Sequence, residues 1–214
     1  MMTNKVYAIV DVDIVDPAGY GEYMRRVSPV LNATGARYLV RGGAHEILEG
    51  DWRPHRLVLV EFGSMDAAED FYSSPQYRDC KDIRVACSSA SVVLVNGLEG
   101  GSERTAAAGD EAGEAKGYVI FDVKIDDMLR YQDFMQYIKP TIEAAGGRYL
   151  VRGGEHKVVE GDWDPDRLVV FEFPSVEQAK AFYFSDNYQG GAKKIRDECS
   201  TARVAVVEGY AGAN

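Results

Sequence analysis

Cysteine and histidine are both scarce in this sequence, three of each among 214 residues. Cys80, Cys87 and Cys199 make an odd number with no close pair at metal-ligand spacing, which argues against a disulfide framework and against a zinc site. They read as small buried hydrophobes. No cysteine lies beside a histidine in sequence, and there is no glycine-rich phosphate loop and no nucleophile elbow, so no cofactor and no metal is assigned. Positive charge is also in deficit: 24 Lys and Arg against 34 Asp and Glu leave a net charge of −10. A nucleic acid or an anionic membrane would find no basic surface from which to release counterions. No apolar run approaches a membrane span, and residues 1–7 lack the apolar stretch of a signal peptide. The expectation is a soluble cytoplasmic protein with neither a nucleic-acid nor a membrane partner.

What the chain does contain, it contains twice. Arg37-Tyr-Leu-Val-Arg-Gly-Gly43 recurs 111 residues later as Arg148-Tyr-Leu-Val-Arg-Gly-Gly154, and 18 of the 26 positions from 37 to 62 match their counterparts. Such self-similarity at a fixed offset marks a duplicated structural unit. The length allows one or two domains and the repeat decides for two, at 4–98 and 116–210. Between them, 99–115 is small, polar and acidic without apolar periodicity. It reads as a flexible linker spanning about 25 Å as a random coil, enough for the halves to meet face to face.

Within each half the elements follow from local pattern. Val6 to Val12 is rich in β-branched residues and splits by period two into an apolar face (Val6, Ala8, Val10, Val12) and a face carrying Tyr7, Ile9 and Asp11. The second copy repeats the split with Tyr118, Ile120 and Asp122 opposite Val119, Phe121 and Val123. The apolar face should take the helices. Asp16-Pro17 starts a helix, with Tyr20, Met24, Val27 and Leu31 at helical spacing. Pro29 and Pro140 are expected to kink the two long helices at the same turn, and Gly35 and Gly146 to end them. The heptapeptide is a second strand, with Arg37, Leu39 and Arg41 on one face. Gly42-Gly43 suggests a bulge or a close backbone approach. Ala44 to Leu48 continues as a strand extension, Arg56 to Phe62 is a third strand, Ser64 and Ser175 cap a second helix, and Ser91 to Val95 is the last strand. One extra residue falls near Gly190-Gly191. The order is βαββαβ, the ferredoxin-like split pattern.

The run Arg-Tyr-Leu-Val-Arg-Gly-Gly, then Glu-Gly-Asp-Trp-x-Pro-x-Arg-Leu-Val, Glu-Phe and Phe-Tyr-x-Ser-x-x-Tyr resembles the bacterial family known as domain of unknown function 1330. The resemblance covers nearly all of both halves. It implies an α+β fold of the dimeric α+β barrel kind, in which two four-stranded sheets close one barrel with helices outside. Here the two ferredoxin-like units would form that barrel within one chain. The resemblance implies no particular activity. Burying the two free sheet faces against each other demands the same arrangement, and it leaves room for further homo-oligomerisation.

The polar residues of the inner faces are then the candidate site. Asp11, Arg41, Glu61 and Tyr7, with Asp122, Arg152, Glu172 and Tyr118, could bind a small aromatic or carboxylated molecule. Neighbouring carboxylates Asp11 and Glu61 would raise one pKa for acid–base work, and the guanidinium would hold a carboxylate or enolate. The same residues could equally form a buried ion-pair network that registers the halves. His45 and His156 could act as bases or bind a metal or haem iron, or be hydrogen-bonded hairpin histidines. Trp52 and Trp163 could line a pocket mouth, or pack under their loops with Arg56 and Arg167 over their faces. The functional expectation is a small-molecule-binding barrel, either an enzyme working without a cofactor by proton transfer or oxygenation through Glu61, Glu172, His45 and His156, or a non-catalytic ligand-binding or structural protein.

Overall fold

The computed structural model describes residues 4–98 and 115–212. The first half runs β1 (Val6–Ile14), α1 (Pro17–Asn32), β2 (Arg37–Arg41), β3 (His45–Glu49), β4 (Leu57–Phe62), α2 (Met65–Ser73), α3 (Pro75–Cys87), β5 (Ser88–Asn96). The second runs β6 (Gly117–Ile125), α4 (Met128–Ala144), β7 (Arg148–Arg152), β8 (His156–Glu160), β9 (Leu168–Phe173), α5 (Val176–Tyr183), a π-helical turn at Tyr188–Ala192, α6 (Lys193–Asp197) and β10 (Ser200–Glu208). All but residue 115 of the expected linker lies outside the described residues.

The caps lie where the sequence puts them. The Asp16 carboxylate accepts from the Ala18 amide, and the Ser64 and Ser175 hydroxyls accept from the amides of Ala67 and Gln178, each satisfying an amide with no partner inside its helix. The second helical region is longer than expected, because Ser74 caps a further helix that begins at Pro75. Pro29 and Pro140 lie inside continuous helices. The π-helical turn absorbs the extra residue near Gly190-Gly191. An i→i+5 turn holds one residue more than an α-turn, so α6 and β10 return to register with their counterparts.

The strand orders are β2-β4-β1-β5-β8 and β3-β10-β6-β9-β7. Each sheet has five strands instead of the expected four, and the fifth comes from the other half. The segment after the double glycine does not extend its own sheet. It crosses over: β3 pairs with β10, and β8 pairs with β5. Gly43 and Gly154 make the crossing passable, since a Cβ there would collide with the backbone carbonyls of Glu208 and Asn96. Gly42 and Gly153 have φ of +73° and +69°, a backbone that favours glycine, and the guanidinium groups of Arg56 and Arg167 fill the space beside them.

Period two then sorts the side chains into layers. Val6, Ala8 and Val12 pack under the helices, as do Val119, Phe121 and Val123. Tyr7, Ile9, Leu59, Val93 and Val95 meet Tyr118, Ile120, Val170, Ala205 and Val207 in a shared layer between the sheets. This is the dimeric α+β barrel folded from one chain. Its interior corrects the expectation of a polar box, because most of the layer is aliphatic and fully buried. Burial of this kind stabilises by about 25 cal/mol per Å². A lone half would leave that face wet.

One pair of surface contacts distinguishes the halves. Glu46 of β3 meets Lys180 of α5 at 2.6 Å, and its counterpart Lys157 of β8 meets Glu69 of α2 at 2.7 Å. The same position pairs carry opposite signs, so like halves would face Glu against Glu or Lys against Lys. Exposed pairs contribute up to about 1 kcal/mol each. Glu46→Lys should therefore lower unfolding stability by roughly 0.5 kcal/mol, and adding Lys180→Glu should restore it in a double-mutant cycle by denaturant unfolding.

Candidate functional site

Glu61 and Glu172 sit at one end of the barrel, 7% and 6% exposed. Each is enclosed by three donors. The Tyr7 hydroxyl donates to Glu61 at 3.3 Å, Arg37 donates from Nε at 3.0 Å and Nη2 at 3.3 Å, and Lys5 lies at 3.4 Å. Around Glu172 stand Tyr118 at 3.2 Å, Arg148 at 2.8 Å and Lys116 at 2.9 Å. Burial, then the negative charge of the neighbouring glutamate, pushes both tyrosine hydroxyls far up, so they stay protonated. Tyr7 also feels Arg148 and Glu172, which brings the two clusters together across the halves.

Four expected neighbours are elsewhere. Asp11 shares the face of Tyr7 but pairs with Leu57, while Tyr7 pairs with Glu61, so the two carboxylates lie at opposite ends of the strand pair. Asp11 instead accepts from the amides of His55 and Arg56, and Asp122 accepts from Trp163 Nε1 at 3.0 Å and from Arg203. Arg41 and Arg152 are not on the inner face. A bulge between Tyr38 and Val40, repeated between Tyr149 and Val151, shifts the alternation by one residue. Such a shift sends every later side chain to the other face. Arg37 and Arg148 thus take the inner position. Arg41 turns outward over the Tyr38 ring at 4.8 Å and donates to the Ser28 hydroxyl, while Arg152 lies over Tyr149 at 5.2 Å.

His45 Nε2 lies 3.1 Å from the Pro54 carbonyl and His156 Nε2 lies 3.5 Å from Asp164. Neither lies in a hairpin, because β3 and β8 pair with strands of the other half; both contacts are to the turn that leads into β4 or β9. Trp52 and Trp163 pack against each other, their ring centroids 5.4 Å apart and their planes tilted by 41°. Arg56 and Arg167 do not cover them but cross to the helix side, over Tyr20 and Tyr131.

That helix side holds the enclosed spaces. In the first half a cavity of about 40 Å³ lies between sheet and helices, lined by Val10, Tyr20, Tyr23, Tyr77 and Arg84 among others. Its counterpart of about 20 Å³ in the second half is lined by Phe121, Tyr131, Phe134, Tyr188 and Arg196. Arg84 and Arg196 are 2% and 1% exposed. Both reach across the duplication: Arg84 Nη2 donates to the Glu160 carboxylate at 2.8 and 2.6 Å, and Arg196 Nη2 to that of Glu49 at 2.7 and 2.6 Å. Each clamps the strand donated by the other half. Sequence reasoning missed them because the site was sought on the inner sheet faces and these arginines lie on helices; allowing for the extra residue, they match at an offset of 112. Comparing the halves on both sides of Gly190-Gly191 reveals the pair.

Burial pushes the Glu160 carboxyl up, but hydrogen bonds and charge from Arg84 and Lys81 outweigh it and hold the pKa below the ordinary carboxylate range. A depressed folded pKa gives stability that is complete above the unfolded value and lost as pH falls through the folded one. Glu160→Gln, which leaves a buried guanidinium without its carboxylate, should cost roughly 3 kcal/mol at neutral pH. In acid the variant should converge on the parent, as followed by denaturant unfolding between pH 7 and 3.

No curated protein matches the sequence. Among solved structures, a mutant chlorite dismutase from Candidatus Nitrospira defluvii superposes with a TM-score of 0.57 at 10% identity, over 97% of this chain and 92% of that one. An anthrone oxidase-like protein superposes at 0.54 with 12% identity, over 97% and 92%. A provisionally named monooxygenase from Lactobacillus acidophilus NCFM also superposes at 0.54 with 12% identity, over 96% and 94%. These likenesses are of fold. The family model "Domain of unknown function (DUF1330)" matches residues 5–98 and again 116–210, and the chain belongs to that family, carrying its domain twice.

Proposed function

We propose that this protein binds a small aromatic molecule in the space between sheet and helices. The observation that carries the reading is a buried guanidinium facing an aromatic-walled cavity with an unused donor: Arg84 Nη1 makes no hydrogen bond among the described residues. An orphaned buried donor costs about 1–3 kcal/mol, a cost that an acceptor supplied by a ligand removes. Burial raises the hydroxyl pKa of Tyr20, Tyr23, Tyr38, Tyr72 and Tyr77, so each keeps its proton.

At about 40 Å³ the cavity is smaller than the few hundred Å³ of a small-molecule site, so binding must enlarge it. Phe71 is the shared wall between this cavity and an outer groove of about 630 Å³ beside Pro29, Ala33 and Ser74. Swinging that ring would join the two. Oxygenation is the chemistry that the fold's likeness to the monooxygenase and the anthrone oxidase-like protein supports, by analogy of fold. In this reading Glu61 and Glu172 close the barrel end and hold the halves in register, outside the ligand's reach.

Thermal unfolding with benzoate, salicylate, 1-naphthoate and benzyl alcohol tests the proposal. A ligand at ten times its Kd adds about 1.4 kcal/mol and should raise Tm by about 3–5 °C. No shift with any of them would end the reading. Glu61→Gln and Glu172→Gln should each lower stability by roughly 3 kcal/mol while leaving the ligand's Kd unchanged. Loss of binding in folded protein would return the site to the barrel interior.

A further inference from the structure

The two helix-side cavities descend from one ancestor, and they differ in a consistent direction. Val10 and Val60 of the first half correspond to Phe121 and Phe171, and Tyr23 corresponds to Phe134. The second cavity therefore gains two rings and loses a hydroxyl, and its volume is about half that of the first. Phe121 also lies against the clamp: the Arg196 guanidinium sits 5.6 Å from its ring centroid. In the first half Val10 supplies no ring, and the ring nearest the Arg84 guanidinium is that of Tyr23, at 5.9 Å.

Hydrogen bonding differs in the same sense. Arg196 Nη1 donates to the Tyr188 hydroxyl at 3.2 Å and leaves only its Nε unbonded, whereas Arg84 Nη1, though near the hydroxyl of the equivalent Tyr77, makes no hydrogen bond of good geometry among the described residues. Charge follows too. Arg84 and Lys81 share the single carboxylate of Glu160, leaving one positive charge in excess. Arg196 and Lys193 have both Glu49 and Asp197, and that cluster is neutral. The residue that supplies the second carboxylate, Asp197, has as its counterpart Val85, which is 56% exposed.

From these differences we infer that the duplicated sites have divided their labour: the first-half cavity is the ligand site, for an aromatic compound bearing an anionic oxygen, and the second-half cavity has been filled in as scaffold. The inference rests on reading the cavities as ligand pockets. The phenyl rings of Phe121 and Phe171 occupy the volume that an aromatic ligand takes between Val10 and Val60. A carboxylate or phenolate oxygen meets Arg84 Nη1, and the excess positive charge selects the anion over its neutral analogue.

Calorimetric titration of the full chain with 1-naphthoate and 1-naphthalenemethanol decides the matter. One 1-naphthoate should bind per chain, more tightly than the alcohol. Val10→Phe with Val60→Phe copies residues the second half already tolerates and should weaken binding at least tenfold. Val85→Asp changes only an exposed side chain, so folding is spared. It should raise the Kd of 1-naphthoate roughly tenfold and leave that of the alcohol within twofold, while Asp197→Val should change neither. Two equivalent ligands per chain, or binding that survives the first-half substitutions, overturns the division of labour but keeps the pockets. Equal effects of Val85→Asp on acid and alcohol overturn the choice of an anion. Failure of the parent chain to bind either probe overturns the pocket reading and this inference with it.

Discussion

A sheet with apolar side chains on both faces cannot stand with one face in water, and the rest of this structure depends on that constraint. Every residue of β4 and of β9 is buried. Helices cover one side of each sheet, and the surface of matching shape and size for the other is the second copy of the same sheet. Fusing the copies makes their meeting intramolecular, so that association no longer depends on protein concentration. The crossing of β3 and β8 then ties each half to the other through backbone ladders, and Arg84 and Arg196 clamp the donated strands from above.

Duplication also frees the copies from symmetry. A homodimer must use one sequence for both surfaces, and any change is made twice. In the fused chain, Glu46 and Lys157 have taken opposite charges, and their partners Lys180 and Glu69 have followed. The interior has changed less, because packing there tolerates little: Tyr7, Ile9 and Glu61 are repeated unaltered as Tyr118, Ile120 and Glu172. Divergence is concentrated on the helix side, where Val10, Val60 and Tyr23 each correspond to a phenylalanine in the other copy. That distribution fits a barrel interior that serves stability and helix-side cavities that have been free to acquire different tasks.

Polar groups obey the same division. At the barrel end each glutamate is surrounded by a tyrosine, an arginine and a lysine, a satisfied network of the sort that favours one register between the halves. Under the helices the guanidinium groups are satisfied only in part, with Arg56 Nε, Arg84 Nη1, Arg167 Nε and Arg196 Nε buried and unbonded among the described residues.

Much of the fold was legible from residue order alone. Periodicity of two separated the faces of β1 and β6, Asp16, Ser64 and Ser175 announced their helices, and the repeat itself announced two like units that pair. Local rules suffice there because each depends on neighbours within a few residues. The bulge at Leu39 was not legible. Nothing in Arg-Tyr-Leu-Val-Arg says that alternation slips by one, yet the slip decides that Arg37 faces Glu61 and Arg41 does not. The exchange of β3 and β8 was also hidden, because a strand's own sequence does not name the edge it will join. The clamp was hidden because nothing around Arg84 or Arg196 names a carboxylate partner in the other half, while the inserted residue is absorbed by a π-helical turn without disturbing the contact. Sequence by itself thus determined the unit, its duplication and the need to bury two faces together. Register, strand exchange and the placing of each guanidinium were decided by the tertiary structure, since they depend on competition among partners far apart in the chain.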